Sequence, residues 1–244
     1  MKKYQTLLFD VDDTLLDFGA AENLALHRLF EEQKMSLTSE IKGDYQRINQ
    51  NLWKSFEEGK ISRDEVINTR FSILFKEYGH EVDGVLVEKK YRHYLEEGAQ
   101  LVQGAFALIT HLQEFYDLYI VTNGVSQTQY KRLQKSGLHP FFKDIFVSED
   151  TGYQKPMKEY FEYVFARIPH FSVEKTLIIG DSLSADITGG QLAGLDTCWY
   201  NPAMKGNDTG VDPTYQIHQL DELYPILQIE KALDEKQRCV DLSS

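Results

Sequence analysis

Apolar residues fall into two rhythms along this chain. Short unbroken runs, such as Thr6-Leu7-Leu8-Phe9, Leu118-Tyr119-Ile120-Val121 and Thr176-Leu177-Ile178-Ile179, predict strands covered on both faces of a parallel sheet. Such strands are expected over Gln5–Phe9, Leu118–Thr122, Asp144–Ser148, Thr176–Gly180, Thr197–Tyr200 and Thr214–Ile217. Between them the apolar positions space out at helical intervals. Helices are predicted over Ala105–Phe115, Ser126–Ser136 (closed by Gly137), Met157–Arg167, Ser184–Ala193 (closed by Gly194) and Leu220–Leu227. Strands alternating with helices predict an α/β fold with a mostly parallel sheet and helices on both faces.

One stretch breaks the alternation. After the first strand, no strand pattern returns until Leu118, although an α/β unit usually supplies its second strand within about 30 residues. Up to about Val102, where the alternation resumes, the intervening chain reads as four helices: Ala20–Met35, Ser39–Glu57, a third opened by Ser62-Arg63-Asp64-Glu65, and Asp83–Glu97. Ser62 and Glu65 have the spacing of a capping box. Residues 19–92 are therefore expected to form an inserted helical module, with 1–18 and 93–230 as the core and 231–244 as a polar tail. The joints near Asp17-Phe18-Gly19 and Glu97-Gly98-Ala99 are the natural hinges.

Composition narrows the partners. Hydrophobic residues at 42% and charged residues at 26% are ordinary for a globular protein, and the length allows a core plus a smaller module. The formal net charge of −12 argues against a nucleic-acid polymer or an anionic membrane, both of which favour basic patches. It leaves room for a small anionic substrate, whose binding depends on the local field. No apolar stretch reaches the roughly 20 residues of a membrane span. Asp10, Asp12 and Asp13 interrupt the run after Lys2 and Lys3 too early for a signal peptide, so a cytoplasmic location is expected. Cys198 sits in an apolar run and reads as a buried thiol, Cys239 carries little information, and the two offer no metal or disulfide framework. None of the seven histidines falls on a metal-ligand spacing.

Candidate chemistry gathers where strands end. Asp10 and Asp12, two apart on extended backbone, point the same way at the tip of the first strand. Paired carboxylates need a cation or a proton to coexist, so Asp-x-Asp-x-Thr is either an acidic turn or a site. Thr122-Asn123-Gly124 follows the next strand and suits either a turn or a phosphate oxygen. Lys155, placed before a Pro156 expected to start a helix, is either a solvated lysine or a cation for a phosphoryl group. Asp181 ends a further apolar strand, and Asp186 falls in the first turn of the helix after it, where the helix dipole alone favours an acid.

The ordered set Asp-x-Asp-x-Thr, Thr-Asn-Gly, Lys-Pro and Gly-Asp-x-x-x-x-Asp resembles the four motifs of the haloacid-dehalogenase (HAD) superfamily of Mg²⁺-dependent hydrolases. The likeness covers nearly the whole chain, with the helical insert resembling that superfamily's cap on a Rossmann-like core. It implies Asp10 as a nucleophile forming an aspartyl-phosphate. Asp12 is implied as general acid/base, with its main-chain carbonyl on the metal. Thr122, Asn123 and Lys155 are implied as phosphate contacts, Lys155 also as catalytic, and Asp10, Asp12, Asp181 and Asp186 as the Mg²⁺ site. The chemistry is coherent, since a carboxylate can attack an anionic phosphate only when cations offset the repulsion.

The presence of Asp12 resembles the phosphatase and mutase branches rather than true dehalogenases, and Asn123 is more like the phosphatases. The runs Phe146–Pro156, Gly189–Leu195 and Thr197–Pro202 look like the bacterial pyrimidine 5′-nucleotidases of subfamily IA. That likeness implies UMP, dUMP and dTMP-like substrates. A sugar-phosphate phosphatase or a β-phosphoglucomutase-like phosphotransferase is the alternative. Within the insert, Tyr45, Trp53, Arg70 and Phe71 are candidates for reading the leaving group, although Trp53 and Phe71 also suit plain helix packing and Arg70 a surface ion pair. Oligomeric state, monomer or dimer, is left open.

Overall fold

The computed structural model describes residues 4–207 and 209–230. Lys2, Lys3, Cys239 and the expected tail at 231–244 lie outside the described residues. Six parallel strands form one sheet: β1 Thr6–Phe9, β2 Asp117–Thr122, β3 Asp144–Val147, β4 Thr176–Gly180, β5 Asp196–Tyr200 and β6 Tyr215–Ile217, in the order β3-β2-β1-β4-β5-β6. Every strand lies within a residue or so of its expected place.

The apolar runs serve two cores at once. Leu7 and Phe9 of β1 face one side with Leu118, Ile120, Leu177 and Ile179, while Leu8 faces the other with Tyr119, Val121 and Ile178. This alternation is why the strands show no polar face in the sequence. Helices cover both sides. The first core takes α5 (Ala105–Leu112), α6 (Ser126–Lys135) and α10 (Leu223–Leu227); the second takes α8 (Lys158–Phe165). A short α7 (Ser148–Thr151) follows β3 directly, which shortens that strand relative to expectation.

Between β1 and α5 the chain forms α1 (Phe18–Glu32), α2 (Ser39–Glu57), α3 (Arg63–Glu77) and α4 (Gly84–Leu95). Ser62 caps α3 through the box with Glu65: Glu65 N donates to Ser62 Oγ at 3.2 Å and Ser62 N donates to Glu65 Oε2 at 2.7 Å. The four helices enclose a hydrophobic cluster of their own, with Phe30 stacked on Phe75 and Tyr45 on Phe71. They run from Phe18 to Leu95, so the helical stretch is slightly longer than 19–92, because nothing in Arg92-His93-Tyr94 breaks α4 before its end. The chain enters and leaves them side by side. Leu16 bridges Leu101 in antiparallel fashion, Asp17 N donates to Gln100 O at 2.9 Å, and Val102 N donates to Leu15 O at 3.0 Å. Among the described residues no helix is long and apolar enough to cross a membrane.

Candidate active site

Strand order decides where the chemistry collects. The chain leaves β1 toward β2 on one side and later adds β4 on the other, so β1 sits at the point where the winding reverses. A crevice opens there beyond the carboxyl ends of the strands. Phe9 is level with Ile120 of β2 and Ile179 of β4, which brings Asp10, Thr122 and Asp181 to one edge just beyond that level. Helices α1–α4 roof this edge. Between floor and roof lies a cleft of about 280 Å³, lined from below by Asp10, Asp12, Thr122, Asn123, Lys155, Asp181 and Asp186.

Lys155 is the hub of the floor. Its ammonium is buried and spends all three donors, on Asp10 Oδ1 at 2.7 Å, Asp186 Oδ1 at 2.6 Å and Val121 O at 2.8 Å. Burial works against that charge, yet Asp10 and Asp186 more than restore it and push the lysine above its ordinary range. The surface-lysine alternative is thereby excluded. Asn123 explains how Lys155 is delivered: its Nδ2 donates to Lys155 O at 2.9 Å and its Oδ1 accepts from Lys155 N at 2.9 Å. The side chain of Asn123 is thus committed to the lysine's main chain, and what it offers the cleft is its own main chain. Pro156 does not start a helix. It follows Lys155 through a cis peptide bond, and α8 begins at Lys158.

The carboxylates crowd. Oxygens of Asp10, Asp181 and Asp186 lie within 4.8 Å of one another. Burial first, then the charges of Asp186 and Asp12, raise Asp10 to about 8 against the opposing pull of Lys155. Burial, then Asp10 and Asp186, hold Asp181 well above the usual carboxylate range. Asp186 has both oxygens engaged, Oδ1 by Lys155 and Oδ2 by Ser182 N at 3.1 Å. It reaches back because Leu183–Ile187 is a π-helical turn, where a plain α-helix was expected, with Ile187 N donating to Ser182 O at 3.1 Å. Gly180 makes room for it: a Cβ there would lie 2.1 Å from Asp186 Oδ2.

Three carboxylates against one ammonium in a buried, oxygen-rich cluster fit a hard divalent cation, and Mg²⁺ is the ion such a donor set suits. The carboxylates of Asp10 and Asp181 could hold it, with Asp186 beside them.

Thr122 completes the floor. Its Oγ1 accepts from Gln129 Nε2 at 2.9 Å and from Gly124 N at 3.2 Å, which leaves its own proton to donate into the cleft. Gly124 must lack a side chain, since a Cβ would meet Gln129 Nε2 at 2.5 Å. Asp12 is held from α6: Gln129 Nε2 donates to its Oδ2 at 2.8 Å, and Arg132 Nη1 donates to its Oδ1. Gln129 and Arg132 were not anticipated. The available signal was an i, i+3 polar pair on a helix face that must pack on the sheet, and both are buried there.

The roof differs from expectation at two positions, Tyr45 and Phe71. Trp53 and Arg70 line the cleft, whereas Tyr45 does not. Tyr45 is fully buried in the cluster of the four helices, stacked on Phe71 at 5.3 Å, because its position on α2 faces α3 and not the core. Phe71 is likewise internal. Arg70 has no surface ion pair. It is buried and donates through Nε and Nη2 to Glu88, at 2.8 and 2.7 Å, and through Nη1 to Asn49 Oδ1 at 2.9 Å. Arg92 donates to the same Glu88 at 2.6 Å and lines the cleft with Asn49. At its far end the roof touches the floor: Arg63 Nη2 donates to Ser148 Oγ at 2.7 Å, Gln154 Nε2 to Phe56 O at 2.9 Å, and Ser184 Oγ to Glu57 Oε2 at 2.6 Å.

Residues 7–200 match the family model described as haloacid dehalogenase-like hydrolase. The chain belongs to that family. It is a hydrolase of the HAD type, and relatives cover nearly its full length. It is 70% identical over 233 residues to the HAD-hydrolase YfnB of Bacillus subtilis (strain 168), covering 96% of this chain and 99% of that one. The pyrimidine 5′-nucleotidase PynA of Streptococcus pneumoniae (strain ATCC BAA-255 / R6) is 46% identical over 225 residues, covering 92% of this chain and 95% of the relative. The pyrimidine 5′-nucleotidase YjjG of Escherichia coli (strain K12) is 30% identical, covering 92% and 98%. A crystal structure of YfnB bound to magnesium superposes with a TM-score of 0.90 at 70% identity, over 93% of this chain and all of that chain. Interdomain movement is described for that HAD-hydrolase.

Proposed function

We propose that this hydrolase is a Mg²⁺-dependent 5′-nucleotidase that removes phosphate from pyrimidine nucleoside monophosphates such as UMP, dUMP and dTMP. The observation that carries the chemical half is the buried triad of Asp10, Lys155 and Asp186 at the switch point of the sheet. The likeness to two pyrimidine 5′-nucleotidases supports the choice of substrate.

The carboxylate of Asp10 attacks the phosphorus, and the bond from phosphorus to the 5′-oxygen breaks. The Thr122 hydroxyl and the main-chain N–H of Asn123 donate to the phosphoryl oxygens, and the Lys155 ammonium, its donors already engaged, offsets their charge electrostatically. Asp12 gives a proton to the leaving 5′-oxygen, so the nucleoside departs neutral. A water then attacks the aspartyl-phosphate, Asp12 takes its proton, and inorganic phosphate and free Asp10 are restored. Mg²⁺ held by Asp10 and Asp181 would supply Lewis-acid charge that offsets the repulsion between carboxylate and phosphate. Asp186 acts through Lys155, whose ammonium it shares with Asp10.

Helices α1–α4 serve as a cap. Trp53 offers a ring face to the base, while Asn49 and Arg92 offer donors to its carbonyls. Arg70 and Glu88 fix those groups from behind.

The test is a phosphate-release screen of the purified enzyme over pyrimidine and purine monophosphates and sugar phosphates, with Mg²⁺ and with a chelator. Release should be highest for pyrimidine monophosphates and should vanish with the chelator and return on adding Mg²⁺. Equal or greater release from sugar phosphates would overturn the substrate assignment. Undiminished release in the chelator would overturn the metal assignment.

A further inference from the structure

Arg132 is fully buried, yet one edge of its guanidinium reaches the cleft. Its Nη1 donates to Asp12 Oδ1 and, at 3.2 Å, to Gln129 Oε1; its Nε donates to Gly98 O at 2.8 Å. Its Nη2 is buried without a partner, and its Cζ lies 5.6 Å from the ring centroid of Phe18. These contacts place one cation between the Asp12 carboxylate and both joints of the cap: Phe18 opens α1, and Gly98 follows α4.

Neighbouring residues reinforce the second joint. Lys131 pairs with Glu96 at 2.6 Å and Lys135 with Glu97 at 2.6 Å, so α6 grips the segment 96–98 at three successive points. At the first joint, Asp13 Oδ1 accepts from Phe18 N at 3.0 Å and Gly19 N at 3.3 Å. The two adjacent acids after β1 are thus tied to opposite joints, Asp13 directly and Asp12 through Arg132.

We infer that Arg132 is a positioning residue that sets the Asp12 carboxylate for proton transfer and references that setting to the joints of the cap. The inference rests on the acid/base reading of Asp12. A mere anchor for the joint would need only the bond from Nε to Gly98. A fully buried arginine with one nitrogen unpaired is also a poor structural device, because an unsatisfied buried donor forfeits its hydration without replacement. The side chain of Asp12 is 31% exposed, and its carboxylate is held by Arg132 and Gln129. Arg132 and Gln129 take one acceptor site on each oxygen, and a carboxylate has about four, so sites remain for the proton in transit. Without Arg132 the carboxylate can rotate, and a misplacement of about 1 Å is enough to lower a rate on the order of 10²-fold.

The test compares kcat/KM for two phosphomonoesters of similar shape. Benzyl phosphate releases an alkoxide that needs a proton, whereas p-nitrophenyl phosphate releases a stable phenolate that does not. Asp12→Asn establishes the signature of lost proton transfer, a much larger loss on benzyl phosphate. Arg132→Met should reproduce it, with a loss of about 10²-fold on benzyl phosphate and under about tenfold on p-nitrophenyl phosphate. Arg132→Lys, which keeps the cation but cannot span Asp12 and Gly98 together, should fall between wild type and Arg132→Met. The ratio of the two values cancels the fraction of active enzyme, so a partly unfolded variant still reports. Equal losses on both esters in the Arg132 variants, with Asp12→Asn discriminating, would overturn the inference and leave the acid/base reading standing. A non-discriminating Asp12→Asn would remove that reading, and the inference with it.

Discussion

Floor and roof of the cleft bury charge in opposite ways. On the floor, Asp10, Asp181 and Asp186 outnumber their single lysine, and the excess negative charge calls for a further cation. In the roof, Arg70 and Arg92 share Glu88, and Asn49 links Arg70 to Glu22, to which it donates at 3.3 Å, so the charges are closed among themselves. The floor is unfinished without ligands and poised for reaction. The roof is finished without them and shaped for recognition. A floor built this way tolerates little change in chemistry, whereas a roof built from side chains on four helices can be retuned one contact at a time.

The sharpest break in that contrast comes from Asp10→Asn. If the floor alone performs the chemistry, this variant should lose turnover by on the order of 10⁴-fold or more on every phosphomonoester, while circular dichroism stays that of the wild type. Retained turnover would place the nucleophile elsewhere.

A middle-sized effect should come from the roof. Arg92→Met should raise KM for UMP by roughly tenfold, the scale of one charge-assisted hydrogen bond, and leave p-nitrophenyl phosphate within about twofold. A matched loss on both substrates would show that Arg92 acts on the floor and blur the division.

The smallest effect concerns stability. Burial raises Glu22 to about 7, against the attraction of Arg70. A carboxyl whose folded value lies above its unfolded one holds its proton more tightly in the folded state. Its contribution is therefore greatest at low pH and is lost as pH rises from about 4.5 to about 7. Glu22→Gln should raise the melting temperature at pH 8 by a few degrees, at ~2–4 °C per kcal/mol relieved, and leave it nearly unchanged at pH 4. The same shift at both pH values would mean that the gain does not come from the ionisation of Glu22, because a burial penalty on the carboxylate disappears once the group is protonated.

The floor was largely legible in the sequence because its residues stand next to the strongest local signal, an apolar run buried on both faces. Asp10 and Asp181 each terminate such a run, and the alternation of elements brought their strands together. Lys155 lies in an irregular segment and could be placed only through the resemblance; Asn123, which anchors it from β2, explains why that segment needs no regular structure. Gln129 and Arg132 stayed hidden because hydrophobic periodicity reports apolar faces, and here the buried face of α6 is polar. The π-helical turn at Leu183–Ile187 escaped for a related reason: it brings Asp186 onto the ammonium of Lys155, a contact distant in sequence that local propensity does not encode. In the roof, Tyr45 and Arg70 look alike in sequence, as polar-edged residues on amphipathic helices. Only the packing of α2, α3 and α4 turns one inward and the other toward the cleft.

The antiparallel contact of Leu16 with Leu101 has a consequence for how such an enzyme changes over time. The roof enters and leaves through a doorway one residue pair wide, so everything between can be lengthened, shortened or exchanged without altering the register of any strand. New substrate preferences can thus arise by replacing the lid of a reaction vessel whose walls stay untouched. Arg132 touches both doorposts, Phe18 and Gly98, so a new lid that keeps its contacts must return the chain to Gly98 in the same place.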